Sequence, residues 1–222
     1  MPINLPQATL AVGALGSAAT GLVDTTKVFA VGISHAGFGY IKQLIARTVP
    51  KASGTQPATG LTTDDILETL LANWMNGMDT GAQKAIARSF IKMHLNPATA
   101  AALAKEANVD PDSLISVAKK LASMDSLQTA EADTYGRFDV AISALVDRAY
   151  ERGDQFYRNS CKALAALFSV ALALAGDYSL SGVLPWWQAV VIGLIATPLA
   201  PVAKDIANAI QTASDAVGAV KG

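Results

Sequence analysis

Uninterrupted apolar runs, one-sided helical repeats and short stretches rich in proline and glycine succeed one another along the chain. Residues 8–23, ATLAVGALGSAATGLV, form an apolar run dominated by Ala and Gly and closed by Asp24 and Lys27. Within it Gly13, Ser17 and Gly21 recur at every fourth position, the small-xxx-small spacing that lets helix backbones approach closely. Two readings stay open for this run. It is a first membrane helix, or a weakly helical interfacial or buried segment, because glycine disfavours helices and the run falls short of the roughly 20 residues a span requires. The following SHAGFGY, residues 34–40, predicts a turn, and PKASGTQPATG, residues 50–60, predicts a flexible connection.

From Thr62 to Met124 the pattern changes to a helical period that predicts four short helices. In the first, Thr62 and Thr63 are candidate N-caps, Asp64 and Asp65 lie near the positive helix end, and Leu67, Leu70, Leu71, Trp74 and Met78 share a face. Asn96-Pro97 and Asp110-Pro111 each pair an N-cap residue with proline at the first helical position, where its missing N–H does no harm. Leu114, Val117, Ala118, Leu121 and Met124 continue the period, and nothing alternates like a strand.

Phe138, Ile142, Leu145, Ala149, Arg152 and Phe156 then follow at spacings of three and four, predicting an amphipathic packing helix with one arginine in its apolar seam. It runs into an uncharged segment at 163–176, and a second apolar segment occupies 186–203. Together these predict a transmembrane hairpin; the rival is a helical hairpin buried in a soluble core. The expected membrane-boundary residues are Arg158, Lys162, Asp177, Trp186, Trp187, Lys204 and Asp205. Pro198 and Pro201 are expected to kink or end the second span. Arg148, Arg152, Arg158 and Lys162 precede the hairpin and Lys204 follows it, whereas the link 177–185 contains no Lys or Arg. By the positive-inside rule both flanks, and with them the C-terminus, face the cytoplasm.

The fold class expected is therefore all-α. It is an integral membrane protein with a small helical soluble domain, a C-terminal transmembrane hairpin and, on one of the two readings above, a further N-terminal membrane helix. The divisions are an N-terminal small-residue segment at 1–49, a linker at 50–61, a helical domain at 62–136, the amphipathic helix at 137–162, the hairpin at 163–203 and a tail at 204–222.

Composition sharpens this reading. Charged residues make up 16 % of the chain, against about 25 % in typical soluble domains, and mean hydropathy is +0.33. A net charge of −1 removes the electrostatic basis for nucleic-acid binding. The lone Cys161 excludes an intrachain disulfide. No Lys or Arg precedes Lys27, so the positive region of a secretory signal is missing and no cleavage is expected.

Phe138-Asp139, Asp147-Arg148, Phe156-Tyr157-Arg158, Asp177, Ala200-Pro201 and Asp205 form an order of motifs over residues 138–210 that resembles a family of uncharacterised bacterial inner-membrane proteins. Where those proteins carry two aromatic residues after the Ala-Pro, this chain has Val202-Ala203-Lys204, and it has Ala175-Gly176 where they carry an Asn. The resemblance implies a multi-pass topology in a bacterial inner membrane and no particular activity.

Chemistry is sparse. His35 and His94 stand in unrelated contexts, no metal-ligand spacing occurs, and Gly37 with Gly39 does not make a dinucleotide motif. No catalytic, cofactor-binding or metal site is expected. The expected role is a non-catalytic membrane scaffold or structural subunit, packed through Gly13, Ser17, Gly21, Phe138, Ile142, Leu145 and Phe156. Its partners would be the lipid bilayer and further copies of itself or other membrane subunits. The alternative is a pore or channel component formed by the hairpin.

Overall fold

Helix starts in this chain are made by side chains that satisfy the first unpaired backbone donors. The Thr62 hydroxyl accepts the Asp65 N–H at 3.1 Å while the Asp65 carboxylate accepts the Thr62 N–H at 2.8 Å, a reciprocal capping box. Asp79 accepts the Ala82 N–H at 3.0 Å, and Asp110 accepts the Ser113 N–H at 2.8 Å with Pro111 opening the helix. Asn96 caps a turn instead, accepting from the N–H groups of Ala98 and Thr99, and its helix begins only at Ala100.

The computed structural model describes residues 5–28, 32–49, 61–179 and 184–221. Its elements are α1 (Leu5–Val28), a 3-10 turn (Gly32–His35), α2 (Phe38–Thr48), α3 (Thr63–Met75), α4 (Thr80–Met93), α5 (Ala100–Ala107), α6 (Pro111–Ser123), α7 (Thr129–Ser179) and α8 (Trp186–Lys221). No strand occurs among the described residues. The connection expected at 50–60 lies outside them. The four short helices expected between Thr62 and Met124 are α3 to α6, and the amphipathic helix does continue into the apolar segment as the single helix α7.

Two compact units are present, Ser34–Tyr157 and, taken together, Met1–Ile33 with Arg158–Gly222. The first is a helical head. Ile41 and Ile45 of α2, Ile66 and Leu70 of α3, Ile91 of α4, Leu103 of α5, Leu114 and Val117 of α6, and Phe138 and Ile142 of α7 are all essentially inaccessible and form one core. The expected boundary at residue 49 is thus displaced to residue 33. Phe38, Ile41, Leu44 and Ile45 give α2 an apolar stripe that is buried with the head core.

The seam of α7 also differs from its sequence pattern. Phe138 and Ile142 are buried and Leu145 packs partly against the core, as their spacing predicts. Farther along, the buried line passes through Val146, Ala149, Tyr150 and Gly153, leaving Arg152 exposed and Phe156 half exposed, with its ring centroid 6.2 Å from that of Tyr40. A glycine contact causes the change. Gly37, held at φ 90°, lies so close to Gly153 that a Cβ there would sit 2.1 Å from the Gly153 carbonyl oxygen. Trp74 covers this crossing, donating its Nε1–H to the Ser34 carbonyl at 3.1 Å and packing against Tyr150 and Tyr157. At the end of α6, Met124 adopts the left-handed conformation as C-cap and is 95 % exposed, so it leaves the apolar face it was expected to extend.

Electrostatic pairing supports the head. Lys84 reaches Glu151 at 2.8 Å and Asp147 at 3.3 Å, contacts that raise its pKa. Glu131, in the first turn of α7, accepts from Lys120 at 2.6 Å, from the Gln128 N–H at 2.8 Å and from the Ser116 hydroxyl at 2.8 Å. These donors, Lys120 foremost, hold its carboxyl at about 2 instead of 4.5.

Two measurements check these assignments. Gly37→Ala combines left-handed strain of about 1–2 kcal/mol with overpacking of about 1–3 kcal/mol, so it should lower the chemical-denaturation midpoint substantially. Gly39→Ala, where a Cβ meets nothing within 4 Å, should be neutral or stabilising. Because the folded pKa of Glu131 is depressed, its contribution is complete above about 4.5 and is lost as pH falls toward about 2. The pH-dependent loss of head stability across that window should be smaller in Glu131→Gln than in wild type.

Candidate functional site in a small-residue helix bundle

The second unit is built from α1, the part of α7 beyond Tyr157, and α8. Its helices are apolar and carry small residues where they meet. Gly16 of α1 faces α8 so closely that a Cβ would lie 2.1 Å from the Ala196 carbonyl oxygen and 3.1 Å from the Ala200 Cβ. Gly193 of α8 faces α7 in the same way, with the Val170 Cα 2.5 Å and the Ser169 carbonyl oxygen 2.9 Å from the position a Cβ would take. Backbones in contact gain dispersion and leave no room for water or lipid between them.

The buried positions trace the stripes: Gly13, Gly16, Ala19 and Val23 on α1, Ala165 and Ser169 on α7, and Ala189, Gly193 and Ala196 on α8. The Ser169 and Thr197 hydroxyls hydrogen-bond across the bundle at 3.1 Å. Thr20 and Thr25 return their hydroxyls to carbonyls one turn back within α1, at 2.9 Å each.

The expected packing triplet on α1 divides. Gly13 is buried, whereas Ser17 and Gly21 are exposed, and nothing lies within 4 Å of a Cβ built on Gly21. The close approach instead runs through Gly16. The signals for Ala165-xxx-Ser169 and Ala189-xxx-Gly193 stood in the sequence at the same four-residue spacing, but the bulkier residues around them hid the stripes. Pro198 and Pro201 do not end the second helix, which continues through both to Lys221. Their missing N–H groups leave the Leu194 and Thr197 carbonyls without the donor four residues on.

Beside the link, Tyr178, Trp186 and Trp187 are 87 %, 72 % and 53 % exposed, and Asp177 near the end of α7 accepts the Leu184 N–H just before α8 at 2.9 Å. Arg158, Lys162 and Asp205 are exposed; the Lys204 side chain lies outside the described residues. Leu167, Val191, Leu194, Ile195 and Val202 also point away from the bundle with between 44 % and 66 % of their surface open. The most apolar window of α7 is only 11 % buried by the rest of the chain. A helix at the centre of a soluble core would be mostly covered.

Acid–base and metal chemistry finds no assembled site among the described residues. His94 is buried with Nδ1 2.8 Å from the Phe90 carbonyl, the geometry of a donated N–H, and His35 is exposed on the 3-10 turn. No group of three His, Cys, Asp or Glu side chains stands close enough to hold a metal. Comparison with protein-family models, curated proteins and solved structures yields no match.

If backbone contact holds the bundle, Gly193→Leu and Gly16→Leu should cause misfolding, read as loss of a monodisperse peak in detergent and faster proteolysis. Gly176→Leu, placed where a Cβ meets nothing within 4 Å, should leave both unchanged.

Proposed function

We propose that this chain is a membrane-integrated structural subunit, with a helical head tethered to a small-residue bundle that sits in the bilayer and associates with further subunits. The observation that carries the reading is the uncovered apolar surface of α7, of which 11 % of the most apolar window is buried. Exposed to water, such a surface is an aggregation liability; in lipid it has a solvent of its own kind. The uncharged stretch between Lys162 and Asp177 is short for a span, but Lys162 can extend its stem toward the headgroups while Tyr178, Trp186 and Trp187 take the opposite interface.

The same reading orients the hairpin with its basic flanks in the cytoplasm and the link 177–185 outside, in a bacterial inner membrane as the family resemblance implies. Ser17 and Gly21 supply a second small-residue face of α1 that is exposed among the described residues, suited to a helix of a neighbouring subunit. The pore reading has less support, because Ser169 and Thr197 satisfy one another across the bundle instead of lining a polar path.

The protein should stay in the membrane pellet after carbonate washing; release as a soluble monomer would contradict integration. In a Cys161→Ser background, Ser181→Cys should react with an impermeant maleimide added outside intact cells, and protection until lysis would reverse the orientation. Gly21→Leu should reduce cross-linked oligomers without unfolding the chain, since a Cβ built on Gly21 meets nothing within 4 Å. Undiminished cross-linking would leave this face of α1 as a lipid-facing surface.

A further inference from the structure

The head contains a concave site that the structural role does not use. A cavity of about 220 Å³ opens between α2, α5 and α7, and three guanidinium-bearing residues line it: Arg47 from α2, and Arg148 and Arg152 from α7. Tyr40 and Gln43 of α2 add neutral hydrogen-bonding groups, and Glu106 of α5 supplies the one carboxylate. Leu44, Leu145 and Ala149 complete the lining with apolar surface that excludes water from one side. We infer that this cavity binds a phosphate group carried by a small hydroxylated moiety.

Charge balance is the first argument. Arg148 and Arg152 stand at i and i+4 on one helix, where like charges destabilise the helix. A third arginine faces the same cavity, against a single acid. Elsewhere in the head, four basic residues meet acids: Lys84 meets Glu151 and Asp147, Lys92 meets Asp139, Lys120 meets Glu131, and Arg137 meets Asp133 at 3.0 Å. Three arginines converge on the cavity with one acid among its lining residues, and an anion offsets the excess positive charge.

Geometry and size narrow the class of anion. Each guanidinium presents a planar fork of donors that matches phosphate oxygens two at a time, so three of them favour a tetrahedral oxyanion over a lone carboxylate. Drug-sized ligands occupy roughly 300–1,000 Å³, so a cavity of about 220 Å³ suits a phosphate with a short substituent. Glu106 cannot donate when ionised and would repel bare phosphate. It would accept from a hydroxyl on the substituent, which makes a polyol phosphate a better fit than the inorganic ion. A free polyol phosphate and a glycerol-based phospholipid headgroup share this chemistry.

The test uses the full chain in a non-ionic detergent, titrated calorimetrically with inorganic phosphate, glycerol 3-phosphate and short-chain phosphatidylglycerol. Glycerol 3-phosphate or the lipid should bind saturably, with inorganic phosphate weaker. Arg47→Gln, Arg148→Gln and Arg152→Gln should each weaken binding by about tenfold, the equivalent of roughly 1.4 kcal/mol. Arg137→Gln should leave it unchanged, and Glu106→Gln should tighten inorganic phosphate. Because the three arginines are exposed, these variants should keep the wild-type melting temperature, with Arg152→Gln level or slightly raised by relief of repulsion. Saturation by glycerol 3-phosphate identifies a free ligand, and saturation by the lipid alone identifies a headgroup. Failure of both to saturate, or binding that survives all three arginine substitutions, overturns the assignment.

Discussion

Close approach of backbone to backbone at glycine is the constraint on which both units depend. Gly16 against Ala196 and Gly193 against Val170 fix how α1, α7 and α8 fit together, and Gly37 against Gly153 fixes how α2 crosses α7 in the head. None of these contacts tolerates a Cβ without backbone movement. The gain comes from many weak dispersion contacts along facing backbones and requires no large side chain. This explains how a bundle whose buried positions are mostly Gly, Ala and Ser is held together.

The two units use that constraint differently. In the head, large buried side chains, among them Ile41, Leu70, Phe138 and Tyr150, form one core, so burial of apolar surface supplies the main driving force. In the bundle the large side chains point outward and the small ones inward, inverting the usual arrangement of a soluble core. Such an inversion is unfavourable in water and natural in lipid, where packing and a few interhelical hydrogen bonds replace the hydrophobic effect between helices.

Polar groups follow a parallel division. Caps and ion pairs in the head satisfy the helix starts and pin α4 and α6 to α7, each exposed pair adding about 0–1 kcal/mol at most. In the bundle the Ser169 and Thr197 pair joins α7 to α8, and the Asp177 carboxylate accepts the Leu184 N–H just before α8. The cavity lined by Arg47, Arg148 and Arg152 concentrates positive charge beyond both schemes, since only Arg47 also lies in a last helix turn, that of α2.

Local rules determined much of this protein. Helical class, the four short helices after Thr62, the caps at Thr62 and Asp110, and the apolar continuation of α7 follow from periodicity and capping, which act within a few residues and can be read from neighbours in sequence. So can the aromatic and charged borders of the apolar segments. Tertiary structure alone decided which small residues touch. Gly13, Gly16, Ser17 and Gly21 look alike in sequence, yet only the placement of α8 makes Gly16 indispensable and leaves Gly21 open. It also turned the seam of α7 toward Gly153 and away from Phe156, and it brought Arg47 beside Arg148 and Arg152 across about a hundred residues of chain. Spacing along one helix specifies a face; what that face meets depends on residues distant in sequence, and the pattern of a single helix does not encode them.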